Sequence, residues 1–159
     1  MLLGDALPLF DPGVRWLDDR RPAVATGVPV LVHFWSTGCP LCHEGAAHIA
    51  AWRSRFGSSL TTVAIFQLRS GVAGPDGVST VTEDVMRPQA RGVVAPGEAC
   101  AIDVDRRLEK RFENPFAPGY FVFDERHRLR HRQMGNDGIS DVESLLERLV
   151  VQASRGGEA

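Results

Sequence analysis

The feature that most constrains this chain is an apolar segment, VPVLVHFW, followed after three residues by Cys39 and Cys42. Residues 30–35 are apolar on both alternating faces, which predicts a central strand covered on both sides. From Pro40 onward apolar residues recur at helical spacing, and Gly57 is the expected stop of that helix. The sequence therefore predicts a strand that leads directly into a helix carrying CxxC.

Three chemistries use the CxxC spacing: a dithiol/disulfide couple, half of a zinc site and, since His43 completes CxxCH, covalent haem attachment. A structural zinc site needs four ligands, and the chain has no second CxxC. A cytochrome motif does not ordinarily follow a central strand. The strand and helix around the pair favour the redox couple, with haem attachment kept as an alternative.

The predicted helix assigns different roles to the two cysteines. Cys39 stands at the helix N-terminus, where unpaired N–H groups and the positive end of the helix dipole stabilise a thiolate and lower the thiol pKa. Pro40 fits the first helical position, where its missing N–H is harmless. Cys42 lies one turn later and can attack a mixed disulfide on Cys39. We therefore predict that Cys39 is the nucleophile and Cys42 the resolving cysteine.

The remaining pattern is mixed α/β without an internal repeat. Asp103 is expected to cap a helix, Pro88 to end or kink one, and residues 80–83 to form a capping box. The lone Cys100 is expected to be a small buried residue in a strand. Further strands are predicted at 60–68, 99–102, 120–124 and 127–133, and further helices from the capping box to about 87, at about 103–112 and at 139–151.

Composition limits the class of protein. A chain of 159 residues that is 43% hydrophobic predicts one domain over 1–159, and we expect a monomer. A net charge of -2 provides no excess of positive charge that would indicate nucleic-acid binding. No apolar stretch is long enough to span a membrane. The first residues lack a basic signal-peptide region, which predicts a cytoplasmic location. An extracytoplasmic location is the alternative if a signal or anchor segment has been removed.

Two segments, VPVLVHFWSTGCPLC and APGYFVFDERHRLRHRQMG, together resemble the thioredoxin-like superfamily. The most similar subgroup is the bacterial thiol-disulfide oxidoreductases of the TlpA/ResA type, whose N-terminal strand and turn resemble GVRWLDDRRP and whose central insertion resembles residues 74–102. The resemblance implies an α/β thioredoxin-like fold, a mixed sheet of four or five strands flanked by helices, with its core at about 24–152. The sequence departs from the family at three positions, with Gly38, Gly45 and Ala47 where the family usually has Trp, Glu and Pro.

The resemblance also implies roles for residues around the cysteines. His33 stands six residues before Cys39, where thioredoxins carry a buried acid that moves protons for the second cysteine. An imidazole can accept a proton near neutral pH, and the alternative, which is slightly favoured, is a core histidine hydrogen-bonded to backbone. Glu44 is a second candidate proton carrier, and its alternative is a solvated glutamate that favours the helix dipole.

Pro118 precedes a predicted strand and matches the cis-proline of the superfamily. The resemblance implies a cis Ala117-Pro118 bond beside the CxxC. It also implies that the backbone of Ala117 pairs with an extended substrate, while Phe116 and Trp35 supply apolar contacts.

Together these observations predict a thiol-disulfide oxidoreductase that exchanges its Cys39/Cys42 dithiol or disulfide with cysteines of a protein substrate. The resemblance implies no cofactor beyond this redox-active disulfide, no metal, and a further redox partner of unknown identity. The rival from another class is a redox-inert binding module that uses the thioredoxin fold as a docking platform.

Overall fold

The computed structural model describes residues 1–8, 11–67, 83–103 and 105–157, and the side chains of all of these except 83–85. Its strands are β1 (Arg15–Trp16), β2 (Val30–Trp35), β3 (Thr61–Gln67), β4 (Ala99–Asp103), β5 (Gly119–Phe123) and β6 (Leu129–Met134). Its helices are α1 (Pro40–Phe56), α2 (Glu83–Ala90), α3 (Arg107–Phe112) and α4 (Ile139–Gly156).

The six strands form one mixed sheet in the order β1-β4-β3-β2-β5-β6. β2 pairs in parallel with β3 and antiparallel with β5, and all six of its residues are buried. The apolar composition of this strand on both faces accounts for its central position, since only an interior strand covers both sets of side chains. β1 adds an antiparallel edge strand beside β4, and β6 closes the other edge as a hairpin with β5.

The two faces of the sheet carry different parts of the core. One face packs with α3 and the N-terminal segment through a cluster that includes Val32, Phe34 and Phe112. The opposite face packs with α1, α2 and α4 in two clusters. Alternation along β2 places Leu31 and Trp35 on this second face, under α1.

The predicted thioredoxin-like α/β architecture is confirmed, with several differences in detail. The sheet has six strands rather than four or five because the N-terminal extension pairs with β4. α2 continues through Pro88 to Ala90, so this proline costs a backbone hydrogen bond without ending the helix. Residues 80–82 of the predicted capping box and residues 74–82 of the insertion predicted at 74–102 lie outside the described residues.

The predicted cap of α3 is correct, although the helix begins later than expected. Asp103 remains in β4, and its two carboxylate oxygens accept hydrogen bonds from the N–H groups of Leu108 and Glu109, at 2.9 and 2.8 Å. The helix itself starts at Arg107. The side chain thus reaches across a short connection to satisfy N–H groups of the first turn.

None of the helices in the described part of the chain combines the length and apolarity needed to cross a lipid bilayer. Within the same residues, no group of three or more His, Cys, Asp or Glu side chains is arranged to hold a metal ion.

Candidate active site

The CxxC motif forms the first turn of α1, immediately after β2. Cys39 is the N-cap residue and Pro40 occupies the first turn, as predicted. The Cys39 sulfur accepts a hydrogen bond from the Cys42 N–H at 3.2 Å, so it faces the unpaired amides of the helix start. The two sulfurs form a disulfide with a Cα–Cα separation of 5.3 Å. Cys42 is buried at 3% exposure, whereas Cys39 remains partly exposed, and this difference in access distinguishes the two thiols.

Gly38 has a backbone conformation that explains why no tryptophan precedes Cys39. Its φ of +60° lies in the left-handed region, which residues with a Cβ rarely adopt and glycine adopts freely. The turn between β2 and α1 therefore requires this residue type, and the site has no bulky side chain at that point.

The first turn of α1 is held in place by a polar bridge from β5. Tyr120 donates a hydrogen bond from its hydroxyl to Asn136 Oδ1 at 2.7 Å, and Asn136 Nδ2 donates to the Leu41 carbonyl at 2.8 Å. A Cβ at Gly45 would lie 1.9 Å from the Tyr120 hydroxyl oxygen. The position where the family often has glutamate is therefore glycine because the tyrosine occupies that space.

Gly45→Ala is expected to destabilise the protein by about 1–3 kcal/mol, since overpacking of a well-filled interior has costs of that size. Tyr120 is buried and has little freedom to withdraw. Tyr120→Phe removes the obstructing oxygen, so the double variant should recover part of the loss. Urea unfolding of the four proteins in this cycle measures the coupling, and additive effects of the two changes would contradict the packing explanation.

An open cavity of about 440 Å³ adjoins Cys39. Two of the residues predicted from the sequence, Phe116 and Ala117, line the same cavity as Cys39. The Ala117-Pro118 bond is cis, as predicted. Neither the N–H nor the C=O of Ala117 forms a hydrogen bond within the described part of the chain. The backbone of Ala117 is therefore free to form hydrogen bonds beside Cys39.

The other residues that the sequence predicted for the site do not line this cavity. Trp35 is 1% exposed and packs edge-on against Phe66, in the cluster that contains Cys42, so its indole is inside the core rather than at the surface where a substrate would contact it. Glu44 is exposed on the first turn of α1 and does not line the cavity. Pro118 is buried and is not among the residues that line the cavity.

His33 is buried at 2% exposure in the middle of the sheet, where its Nε2 lies 3.0 Å from Glu98 Oε2. Thr62 donates to the same oxygen at 2.5 Å, and the Ala95 N–H donates to the other carboxylate oxygen at 3.2 Å. Arg53 donates to the Thr62 hydroxyl at 2.6 Å. The histidine is thus part of a buried side-chain network, whereas the structural alternative had it bonded to backbone.

The protonation of Glu98 follows from this network. Burial alone would raise the pKa of this carboxyl, but the attraction of His33 and the hydrogen bonds from His33, Thr62 and Ala95 outweigh it, so the pKa lies below its ordinary value of 4.5. An ionised carboxylate only accepts hydrogen bonds, so the His33 Nε2 carries the hydrogen. Nδ1 is then the nitrogen that is free to take up a proton.

Cys100 is a free thiol, buried in β4 as predicted. Burial raises its pKa to about 12, and the negative charge of Glu98 contributes to the same direction while hydrogen bonds oppose it. This thiol is therefore protonated and unreactive near neutral pH.

Sequence analysis missed Glu98, Ser36, Gln67 and Glu109. Glu98 precedes an apolar strand, and that position gave only a weak signal because its histidine partner is 65 residues away. Gln67 ends β3 and exchanges hydrogen bonds with Asn114, donating to its carbonyl at 2.8 Å and accepting from its Nδ2 at 2.9 Å. Ser36, Gln67 and Glu109 all line the cavity beside Cys39.

Comparisons with known proteins agree with this geometry. No protein-family model matches the chain. The thiol-disulfide oxidoreductase YkuV of Bacillus subtilis is 28% identical over 157 residues, which cover 96% of this chain and 99% of YkuV.

Solved structures give the same result. The solution structure of a thioredoxin-like protein in its oxidised form is 27% identical, with a TM-score of 0.68 and coverage of 96% of this chain and 99% of that one. A thiol-disulfide isomerase from Corynebacterium glutamicum shares the fold at 17% identity, with a TM-score of 0.66 and coverage of 90% and 96%. With a CxxC disulfide at the start of α1, the chain has a thioredoxin-like fold and is a thiol-disulfide oxidoreductase.

Proposed function

We propose that Cys39 is the attacking thiol, that Cys42 is the resolving thiol, and that the substrate is an extended polypeptide docked at Ala117. The observation that carries this proposal is the unequal access of the two sulfurs at a helix N-terminus. Cys39 is partly exposed and faces the Cys42 N–H, whereas Cys42 is buried beneath it. Reduction of the disulfide leaves that N–H as a donor to the Cys39 thiolate, which favours the anion.

The exchange proceeds in two balanced steps. The Cys39 thiolate attacks one sulfur of a substrate disulfide, the substrate S–S bond breaks, and the other substrate sulfur leaves as a thiolate. The Cys42 thiolate then attacks Cys39, which forms the Cys39–Cys42 disulfide and releases the second substrate thiolate. The substrate gains two electrons and the protein loses two, and the same steps in reverse oxidise a substrate dithiol.

Docking of the polypeptide is supported by the free backbone of Ala117 in the wall of the cavity. An extended segment that pairs with this N–H and C=O places its side chains alternately into and away from the cavity. Leu41 and Phe116, at 47% and 59% exposure, form apolar parts of the rim. Ala117 itself adds little side-chain selectivity.

The proton that leaves Cys42 is proposed to pass to His33. Leu31 packs with α1 in one cluster, and Trp35 packs with Cys42 in the next, so His33 lies between them on the strand face under α1. The Glu98 carboxylate fixes the ring through Nε2, which leaves Nδ1 as the basic nitrogen. Glu44 is the competing proton carrier and is exposed to solvent.

In the reduced protein, Cys39 is expected to react first with iodoacetamide at neutral pH, because it combines access with a helix N-terminus. Cys42 is shielded, and Cys100 has a pKa of about 12. Rate-resolved alkylation followed by mass spectrometry assigns each site. Equal rates at Cys39 and Cys100 would remove the assignment of the nucleophile.

His33→Gln is expected to slow resolution of the mixed disulfide by about 10²-fold or more, the usual contribution of a positioned general base. The amide can still donate to Glu98 but cannot take up a proton, so the variant separates proton transfer from packing. The rate is measured by stopped-flow as a function of pH on both sides of neutrality. An unchanged pH profile, with Cys39 alkylating at the native rate, would return His33 to a structural role.

A further inference from the structure

The cavity beside Cys39 has apolar walls and a single charged residue. Pro40, Leu41, Pro115 and Phe116 supply much of the wall, and Glu109 is the one charged side chain among the described residues that line it. Glu109 stands on α3, and its side chain keeps 19% exposure. An apolar cavity with a carboxylate in its lining suits a long side chain with an aliphatic stem and a charged end.

The polar atoms without partners point to the same kind of ligand. Four buried side-chain atoms lack a hydrogen bond within the described residues, and three of them, Ser36 Oγ, Glu109 Oε2 and Asn114 Oδ1, are able to accept one. Ser36 and Glu109 line the cavity, whereas Asn114 does not, and its Oδ1 lies against Gly119 of β5. Ser36 is more than nine-tenths buried. Unpaired buried acceptors are costly, and a donor-rich group in the cavity would satisfy those of Ser36 and Glu109.

From this arrangement we propose that the cavity receives a cationic side chain, arginine or lysine, next to the reacting cysteine of the substrate, and that Glu109 is its counter-charge. Glu109 is then a specificity-determining residue for the exchange reaction. This inference rests on the proposed docking of a polypeptide at Ala117.

The arginine side chains near Glu109 leave its carboxylate available to a cation of the substrate. The ion pair between Arg106 Nε and Glu109 Oε2 spans 4.0 Å, which is too long for a hydrogen bond. Arg107 is paired with Asp11 and Asp105. A substrate guanidinium has five N–H donors in a rigid fork, so it can reach the carboxylate and a second acceptor together.

The test uses short peptides in which a single cysteine forms a mixed disulfide with a chromophoric aryl thiol. Attack by Cys39 on the peptide sulfur releases the aryl thiolate, which is followed by absorbance. One peptide series carries arginine beside the cysteine, on either side, and the matched series carries citrulline, which has a similar shape and no charge. A third series carries glutamate.

Native protein is expected to react about 3- to 10-fold faster with the arginine peptide than with the citrulline peptide, the range typical of one partly exposed charge pair. Glu109→Gln should bring this ratio close to one, and Glu109→Asp should retain part of it. Glu147→Gln is the matched control, because it removes the same charge from α4, where Glu147 pairs with Arg55. Its ratio should equal that of the native protein.

Salt provides a test that needs no variant, since about 0.5 M NaCl shortens the screening length and should lower the native ratio. Equal rates for arginine and citrulline peptides, a faster glutamate peptide, or a preference that survives in Glu109→Gln would each overturn the inference while leaving thiol-disulfide exchange intact. If no peptide of any charge releases the aryl thiol, the proposed function fails as well.

Discussion

Cys39→Ser is expected to lower the rate of disulfide reduction by on the order of 10³-fold or more, because removing the nucleophile of other enzymes has effects of that size. A hydroxyl cannot form the mixed disulfide, and the sulfur that remains at Cys42 is 3% exposed, so it has little access to a substrate. Reduction of a protein disulfide by the fully reduced variant, followed by turbidity or thiol release, measures the loss.

Cys42→Ser should fail at a different step. Cys39 still attacks, but no thiol remains to resolve the product, so a covalent adduct with the substrate accumulates and is visible by mass spectrometry. Cys100→Ala is the control, because this thiol is buried with a pKa of about 12 and has no role in the exchange. Full activity in Cys39→Ser, or an adduct on Cys39→Ser instead of Cys42→Ser, would make Cys42 the attacking thiol and overturn the assignment of the two cysteines.

The main architecture was predictable because its signals are local. The apolar run at 30–35, the helical spacing from Pro40 and Gly57 as a stop specify β2 and α1 within a residue of their observed bounds. The same is true of Asp103, whose carboxylate caps α3, although the sequence could not show that the residue itself stays in β4. Local patterns predict elements well because each depends on neighbours a few residues away.

The site was predictable only in part. Several of its residues are distant in the sequence and become neighbours only through the order of the strands in the sheet. The partnership of His33 with Glu98 depends on the order β4-β3-β2, which brings Thr62 and Glu98 beside the histidine. Trp35 appeared suited to substrate contact, but it follows the buried alternation of β2 and points under α1. Long-range pairing of this kind leaves no periodic mark in the sequence.

Glu98→Ala is expected to destabilise the protein by about 3–5 kcal/mol, because removing one partner of a buried pair leaves the other uncompensated. The substitution leaves the His33 Nε2–H, the Thr62 hydroxyl and the Ala95 N–H without their hydrogen-bond acceptor and away from water. Such a change is a large part of the 5–15 kcal/mol that typically stabilises a domain. Glu98→Gln keeps the shape but not the charge and is expected to have an intermediate cost.

Urea unfolding near neutral pH measures the change. Glu147→Ala serves as the control, since its exposed pair with Arg55 should contribute no more than about 1 kcal/mol. Equal losses in the two variants would show that Glu98 stabilises the protein no more than an exposed ion pair does.

The pH dependence of the Glu98→Ala effect provides a second test. The pKa of Glu98 is lower in the folded protein than its ordinary value of 4.5, so its contribution is fully present above about 4.5 and is lost as the pH falls through the folded-state pKa. The stability gap between native protein and Glu98→Ala should therefore narrow in acid.

The contribution of Asp103 to stability changes with pH in the opposite direction. Burial, together with the nearby Asp105 and Glu109 charges, raises its pKa above 3.8 despite the hydrogen bonds it accepts, so its contribution falls as the pH rises through the raised value. Because both proteins contain Asp103, its effect cancels when they are compared at each pH. A gap that stays constant from neutral pH to well below 4.5 would mean that the ionised Glu98 carboxylate is not what holds the His33 network together.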